Sequence, residues 1–289
     1  MEITGSKLSF EFFPPKTEDA KLNLNLVCRE LSKRKPEYFS VTFGAGGGNQ
    51  EKTISTVKQL TELNVNVAPH ITSIGLKAED IRNILKQYLA LGINRLVVLG
   101  GDLPANQETQ GDFTYANELV SFIRRETGNH FYIEVAAYPE FHPRARSAEE
   151  DLNHFKRKVE CGANRAITQY FFNKDAYFHF VDRCLALGIS IPIIPGIMPI
   201  RSFQQLMQFS ALCDADVPLW LRKRLASYGD DVVSMQKFGT EVVTRLCEDL
   251  IRGGAPALHF YALNHTEPTN SILNNLMSVT QKKSPAFAG

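Results

Sequence analysis

No stretch of this chain is both long and apolar enough to cross a bilayer. The most apolar run, 189–200, is interrupted by Pro192, Pro195 and Pro199 and falls short of the roughly 20 residues a spanning helix needs. The opening Met1-Glu2-Ile3-Thr4-Gly5 has no basic region leading into an apolar one, so no secretory signal is expected. Excess charge is missing too, with 32 Lys and Arg against 31 Asp and Glu. That balance offers no field to nucleic acid or an anionic membrane and leaves small molecules as the expected partners. The five cysteines, Cys28, Cys161, Cys184, Cys213 and Cys247, include no C-x-x-C pair. They read as reduced core thiols of a cytoplasmic protein. Histidines His70, His142, His154, His259 and His265 lack ligand spacing, so no metal site is expected. Neither a cysteine nor a G-x-S-x-G serine ends an apolar run, which leaves a nucleophile without a candidate.

What the chain does contain is alternation. Short apolar runs occur at 8–13, 38–43, 65–71, 95–99, 132–137, 165–171, 191–194 and 257–261. Between them lie amphipathic segments at 18–33, 51–62, 78–91, 115–127, 148–161, 174–187, 202–212 and 232–251, with a final one at 268–277. Eight strand and helix units predict parallel strands joined by helical crossovers, and eight is the number that closes a (β/α)8 TIM barrel. A barrel of this kind needs roughly 250 residues, which suits a chain of 289. An open doubly wound sheet is the alternative, but no G-x-G-x-x-G follows any strand; Gly44-Ala45-Gly46-Gly47-Gly48-Asn49 has Asn49 at the third glycine position. The segment 214–231, around Trp220, reads as a short helical insertion before the last βα unit. Residues 1–280 are thus expected to form a single catalytic domain. Residues 281–289 lack periodicity and are expected to be a flexible tail.

Ser9-Phe10-Glu11-Phe12-Phe13-Pro14-Pro15 places a carboxylate inside an aromatic strand that the prolines end. Burial there would raise the pKa of Glu11 and suit it to proton transfer; a half-exposed or ion-paired Glu11 is the plainer alternative. Other strands end in polar residues as well: Thr42, His70, Asp102, Tyr138 with Glu140 and His142, Gln169, and Tyr261 with Asn264. Barrels place catalysis at those ends, and a purely structural barrel would carry apolar or small residues there. The residue types fit acid, amide, phenol and imidazole chemistry around a bound cofactor. Lys156, Arg157 and Lys158, after Asp151 and His154, form a basic helix face for a pyrophosphate or for solvent. Gln205 and Phe209 are four apart and share a helix face, with core packing the first reading of the phenylalanine. The glycine loop either lets backbone approach a ligand or is a plain turn.

Taken together, several runs resemble the bacterial methylenetetrahydrofolate reductases. They are 9–15, 40–45, 68–70, 101–104, 135–140 with His142 and Pro143, 156–158, 162–169, 195–199 and 259–264, spanning almost the whole chain in the family's order. The resemblance implies a (β/α)8 barrel that binds FAD and uses NADH or NADPH to reduce 5,10-methylenetetrahydrofolate to 5-methyltetrahydrofolate. It implies ping-pong chemistry at one flavin face, supply of methyl groups for methionine synthesis, and no regulatory extension; a homo-oligomer is expected. By resemblance Glu11 is the general acid and Asp102 the acid beside flavin and pterin. Gln169 would meet pterin and nicotinamide, and Gln205, Phe209, Tyr261 and His265 would line the folate site. The FAD contacts implied are Thr42, His70, Gly101, Asp102, Tyr115, Ala116, Ala136, Tyr138, His142, Ala145, Asp151, His154, Arg157 and Lys158. Three positions depart from the family pattern: Gly100 and His265 stand where arginines are usual, and His154 where asparagine is common. A flavin-free reductase of the same fold and a folate-binding subunit without its own activity are the competing readings.

Overall fold

Leu8, Phe10 and Phe12 alternate with Ser9 and Glu11 along the first strand, and this period-two pattern sets one face toward the helices and the other toward the barrel interior. The computed structural model describes residues 7–43, 50–73, 75–101, 111–140 and 142–282. Its strands are β1 (Leu8–Phe12), β2 (Tyr38–Val41), β3 (Val67–Thr72), β4 (Arg95–Leu99), β5 (Tyr132–Ala137), β6 (Arg165–Thr168), β7 (Ile193–Ile194), β8 (Gly196–Ile197) and β9 (Leu258–Tyr261). All pair parallel, in the order β7-β6-β5-β4-β3-β2-β1-β9-β8. The expected seventh strand, 191–194, is β7, and the stave continues past Pro195, which has no N–H to give a ladder, into β8, which was not expected. The first half of this stave pairs with Ala166 and Ile167 of β6, and its second with His259 and Phe260 of β9. Nine strands therefore make eight staves, and the barrel closes through that split stave.

The helices are α1 (Glu18–Ser32), α2 (Gln50–Thr61), α3 (Ala78–Ala90), α4 (Ala116–Thr127), α5 (Ala148–Glu160), α6 (Lys174–Ala186), α7 (Phe203–Cys213), α8 (Leu219–Ala226), α9 (Val232–Arg252) and α10 (Thr269–Lys282). Thr17, Ser147, Asn173, Ser202 and Asp231 cap α1, α5, α6, α7 and α9, each side chain accepting an otherwise unpaired N–H of the first turn. The insertion is the short α8. Helix α10 extends through Gln281 and Lys282, two residues into the segment read as a tail; residues 283–289 lie outside the described residues. Among the described residues no helix is long and apolar enough to cross a membrane.

Two apolar regions result. The larger lies between strands and helices and takes Leu8, Phe10, Phe12, Phe39, Val98, Val135 and Phe260 from the sheet. A small one, Tyr38, Ala68, Val97 and Ile167 with Leu99 against it, fills the barrel interior. Below that layer, at the N-terminal end of the strands, the interior is ionic. Arg95 donates to Glu134 and, at 2.5 Å, to Glu37; Arg165 donates to Glu37 at 2.7 Å. The Tyr38 hydroxyl donates to Glu134 Oε2 at 2.8 Å, and the Arg95 guanidinium lies 4.6 Å from the Tyr38 ring centroid. Glu134 is fully buried, and its charge is tolerated because guanidinium and phenol groups surround it.

Candidate functional site

The register of β1 against its neighbours builds the centre of the mouth. Ser9 stands beside His259, and Glu11 beside Tyr261 on one side and Ser40 on the other. All of these belong to the inward set, so their side chains meet. Glu11 Oε2 lies 3.2 Å from His70 Nε2 and 3.4 Å from His259 Nε2, and it accepts from Ser40 Oγ at 3.4 Å. His259 Nδ1 is 2.7 Å from Ser9 Oγ. Both imidazoles are buried.

Burial pushes the Glu11 carboxyl up, as its sequence context suggests, but the two imidazoles outweigh burial and hold it down at about 2. The expected raised pKa is thereby corrected: the ion-paired alternative is the one the fold builds, because β3 and β9 each bring a histidine to the same oxygen. The carboxyl of this group is therefore ionised at neutral pH. Two histidines and a carboxylate converge here, yet among the described residues no such group has the geometry to hold a metal ion.

Neighbouring residues fix the frame. Asn264, in the left-handed region at φ 58°, clamps the end of β1: its Oδ1 accepts from Phe13 N–H at 3.0 Å and its Nδ2 donates to Phe13 O at 2.8 Å. The Tyr261 hydroxyl crosses the split stave to donate to Thr168 O at 2.8 Å. It passes over Gly196, where a Cβ would stand 2.2 Å from Thr168 O and 2.7 Å from Tyr261 Cε2, so glycine alone fits. Gln169 Oε1 accepts from Tyr170 N–H at 3.0 Å. Gln205 and Phe209 are half-buried along α7. Burial and the nearby Arg201 push the His265 imidazole down.

A second group of expected residues gathers around the end of β5. The Tyr138 and His142 rings meet edge to face at 4.5 Å, and His142 N–H donates to Asp151 Oδ2 at 3.1 Å. The Asp151 carboxyl is pushed up by burial. Lys158 Nζ donates to Ala136 O at 2.5 Å, and burial brings this ammonium down to about 8 against the pull of Asp151. Ala145 N–H donates to His142 O at 2.9 Å, closing a tight turn. The Arg144 guanidinium donates to Gly101 O at 3.0 Å, bringing a positive charge to the end of β4. Thr42 Oγ1, just past the end of β2, is buried without a hydrogen-bond partner among the described residues.

Not every expected residue is drawn in. Tyr115 is exposed where it caps α4, although Ala116 beside it is buried; His154 and Arg157 are exposed on α5. Asp102 and the 44–49 loop lie outside the described residues. Ser9 and Ser40 were not singled out by the sequence, and His259 was weighed only as a metal ligand. Parity was the available signal, since Ser9 is two residues from Glu11 and His259 two from Tyr261.

The comparisons with known proteins agree with this geometry. A family profile for methylenetetrahydrofolate reductase matches residues 2–277. The chain is 41% identical to 5,10-methylenetetrahydrofolate reductase of Pectobacterium carotovorum subsp. carotovorum and 38% identical to that of Escherichia coli K12. Both alignments cover 95% of this chain and 92% of the relative. Among solved structures, an uncharacterized protein from Clostridium thermocellum, described as binding two copies of 5-methyl-5,6,7,8-tetrahydrofolic acid, superposes with a TM-score of 0.69 over 97% of each chain at 14% identity, a likeness of fold. With a profile match over nearly its full length and relatives of this identity on both sides, the chain belongs to the methylenetetrahydrofolate reductase family.

Proposed function

We propose that the chain reduces 5,10-methylenetetrahydrofolate to 5-methyltetrahydrofolate, with FAD bound at the barrel mouth and NADH or NADPH as the hydride donor. The observation that carries this reading is the Glu11 carboxylate held between two buried imidazoles at the C-terminal end of the strands. Opening the imidazolidine ring of the substrate needs a proton at N10 as the N10–methylene bond breaks and its electron pair stays on nitrogen. A carboxylate with an imidazole proton donor behind it can deliver one.

The donor set fits a flavin. Thr42 Oγ1 is a buried polar atom without a partner among the described residues, the paired Tyr138 and His142 rings offer flat surfaces, and Lys158 brings an ammonium beside Ala136. Bound flavin would supply a face that takes a hydride from nicotinamide and returns it to folate. Gln169 would meet pterin and nicotinamide in turn with its amide, while Gln205, Phe209, Tyr261 and His265 line the folate side. Asp102 would add a negative charge beside the cationic intermediate. One mouth without a dinucleotide fold implies one shared site, hence ping-pong kinetics. The product would serve methionine synthesis in the cytoplasm.

The test is spectroscopic. Purified protein should be yellow, lose that colour anaerobically with NADH, and regain it with methylenetetrahydrofolate. A colourless protein that still passes hydride between the two substrates would favour the flavin-free reading.

Position 100 gives a second measurement. A Cβ at Gly100 would meet nothing within 4 Å among the described residues, so the root of an arginine side chain is accommodated there. A charged hydrogen bond of this kind contributes roughly 1.5 to 3 kcal/mol, and the FAD dissociation constant is expected to fall by roughly tenfold to a hundredfold. Titration of apoprotein by flavin fluorescence reads it. Equal affinities in both forms would mean that another group, such as Arg144, which donates to Gly101 O, already fills the role.

A further inference from the structure

The Glu11 site does not end at the mouth. Glu134 lies between Arg95 and Arg165 and, as a carboxylate, can only accept, so the Tyr38 hydroxyl 2.8 Å away must donate to it. Ser9 stands opposite Tyr38 in the register of β1 and β2, so the Ser9 hydroxyl and the remaining lone pair of the Tyr38 oxygen share one inward face of the sheet. Ser9 has one proton to give. If it goes to Tyr38, Ser9 Oγ must accept from His259 Nδ1, 2.7 Å away. In that arrangement His259 carries a hydrogen on Nδ1, and its other nitrogen, Nε2, faces Glu11 Oε2 at 3.4 Å. Two lone pairs facing one another there would repel, so the pair is stable only with one further proton between them.

We propose that Tyr38 is a positioning residue: by setting the direction of each hydrogen bond from Glu134 to Ser9, it fixes the His259 tautomer and loads the His259 and Glu11 pair with the proton that folate ring opening consumes. This rests on the function proposed above. In each turnover the proton passes from the pair to N10, the N10–methylene bond breaks with its electron pair left on N10, and the pair regains a proton from solvent. That uptake matches the one proton the overall reduction consumes.

The groups facing the pair are Ser9 on β1, Tyr38 and Ser40 on β2, His70 on β3 and Tyr261 on β9, with Glu134 and Arg165 behind Tyr38. Removing the Tyr38 hydroxyl frees the Ser9 proton to point at His259 Nδ1. The neutral imidazole can then hold its hydrogen on Nε2 and donate it to the Glu11 carboxylate, with no extra proton stored.

The first measurement is 15N NMR of the histidine nitrogens in the protein without substrate. The original chain should show a protonated Nδ1 on His259, and Tyr38→Phe should move the proton of the neutral ring to Nε2. The second is the pH profile of each half-reaction. In Tyr38→Phe the fall in folate reduction with rising pH should begin about one unit lower, giving a loss of roughly tenfold at the alkaline end, while NADH oxidation by a quinone keeps its profile. An unchanged His259 tautomer overturns the proposal whatever the kinetics, and so does a folded Tyr38→Phe protein with both pH profiles unchanged. Absence of folate reduction in the original chain would instead overturn the function proposed above and leave the tautomer result standing.

Discussion

Glu11→Gln is expected to leave NADH oxidation by a quinone acceptor intact while slowing folate reduction by roughly 10²- to 10⁴-fold, the span of a lost general acid. The amide keeps the size of the carboxyl and can still meet Ser40, His70 and His259, so the mouth keeps its shape. What it cannot do is hold a proton in exchange with His259. Hydride transfer from nicotinamide needs no proton from this group, and the two half-reactions therefore separate. Equal loss in both would make Glu11 a structural or flavin-holding residue. The same carboxyl sets a dependence on acid: its folded pKa, at about 2, lies below the ordinary value of 4.5. Its pairing thus stabilises the fold above about pH 4.5 and is lost as the pH falls toward 2. Glu11→Gln should flatten that part of the acid unfolding curve.

The second large effect lies at the other end of the barrel. Glu134→Ala removes the hydrogen-bond acceptor of Arg95 and Tyr38 and the ion-pair partner of Arg165 and leaves two largely buried guanidinium groups with Glu37 as their remaining carboxylate among the described residues. Breaking a buried pair from one side costs about 3–5 kcal/mol, a large share of the roughly 5–15 kcal/mol that holds a domain together. Urea unfolding should show a lower midpoint with little change in slope. The double variant Glu134→Ala with Arg165→Met should lose less than the two single losses added together, because the second change removes the stranded charge. A loss below about 1 kcal/mol in the single variant would show that Glu37 alone suffices.

The barrel was legible in the sequence because apolar runs and amphipathic segments alternate eight times, and because Glu11, His70, Gln169 and Tyr261 fall at strand ends. The direction of the Glu11 pKa was not legible: the aromatic strand around it announces burial, while the histidines that reverse the effect lie on β3 and β9. Nor was the ion cluster. Glu134 and Arg165 sit within runs that read as apolar strands, and only the closed barrel turns both inward against Arg95 from a third strand. Pro195 could be seen to interrupt a run, but which neighbour takes each half depends on closure of the ring. Tyr115 and His154 are assigned by resemblance alone and Arg157 also by its basic helix face, and the described fold leaves all three exposed.

The pairing of Glu11 with His259 spans 248 residues, and the clamp from Asn264 to Phe13 spans 251. At a synthesis rate of roughly 5–20 residues per second, Glu11 leaves the ribosome about 12 to 50 s before His259 exists. Throughout that interval a partial barrel has no β9 to dock against β1, no second imidazole for the carboxylate, and no amide to hold the backbone at Phe13. A truncated chain therefore cannot expose a half-working mouth: the proton-handling centre comes into being only when the last strand is made and the ring is shut.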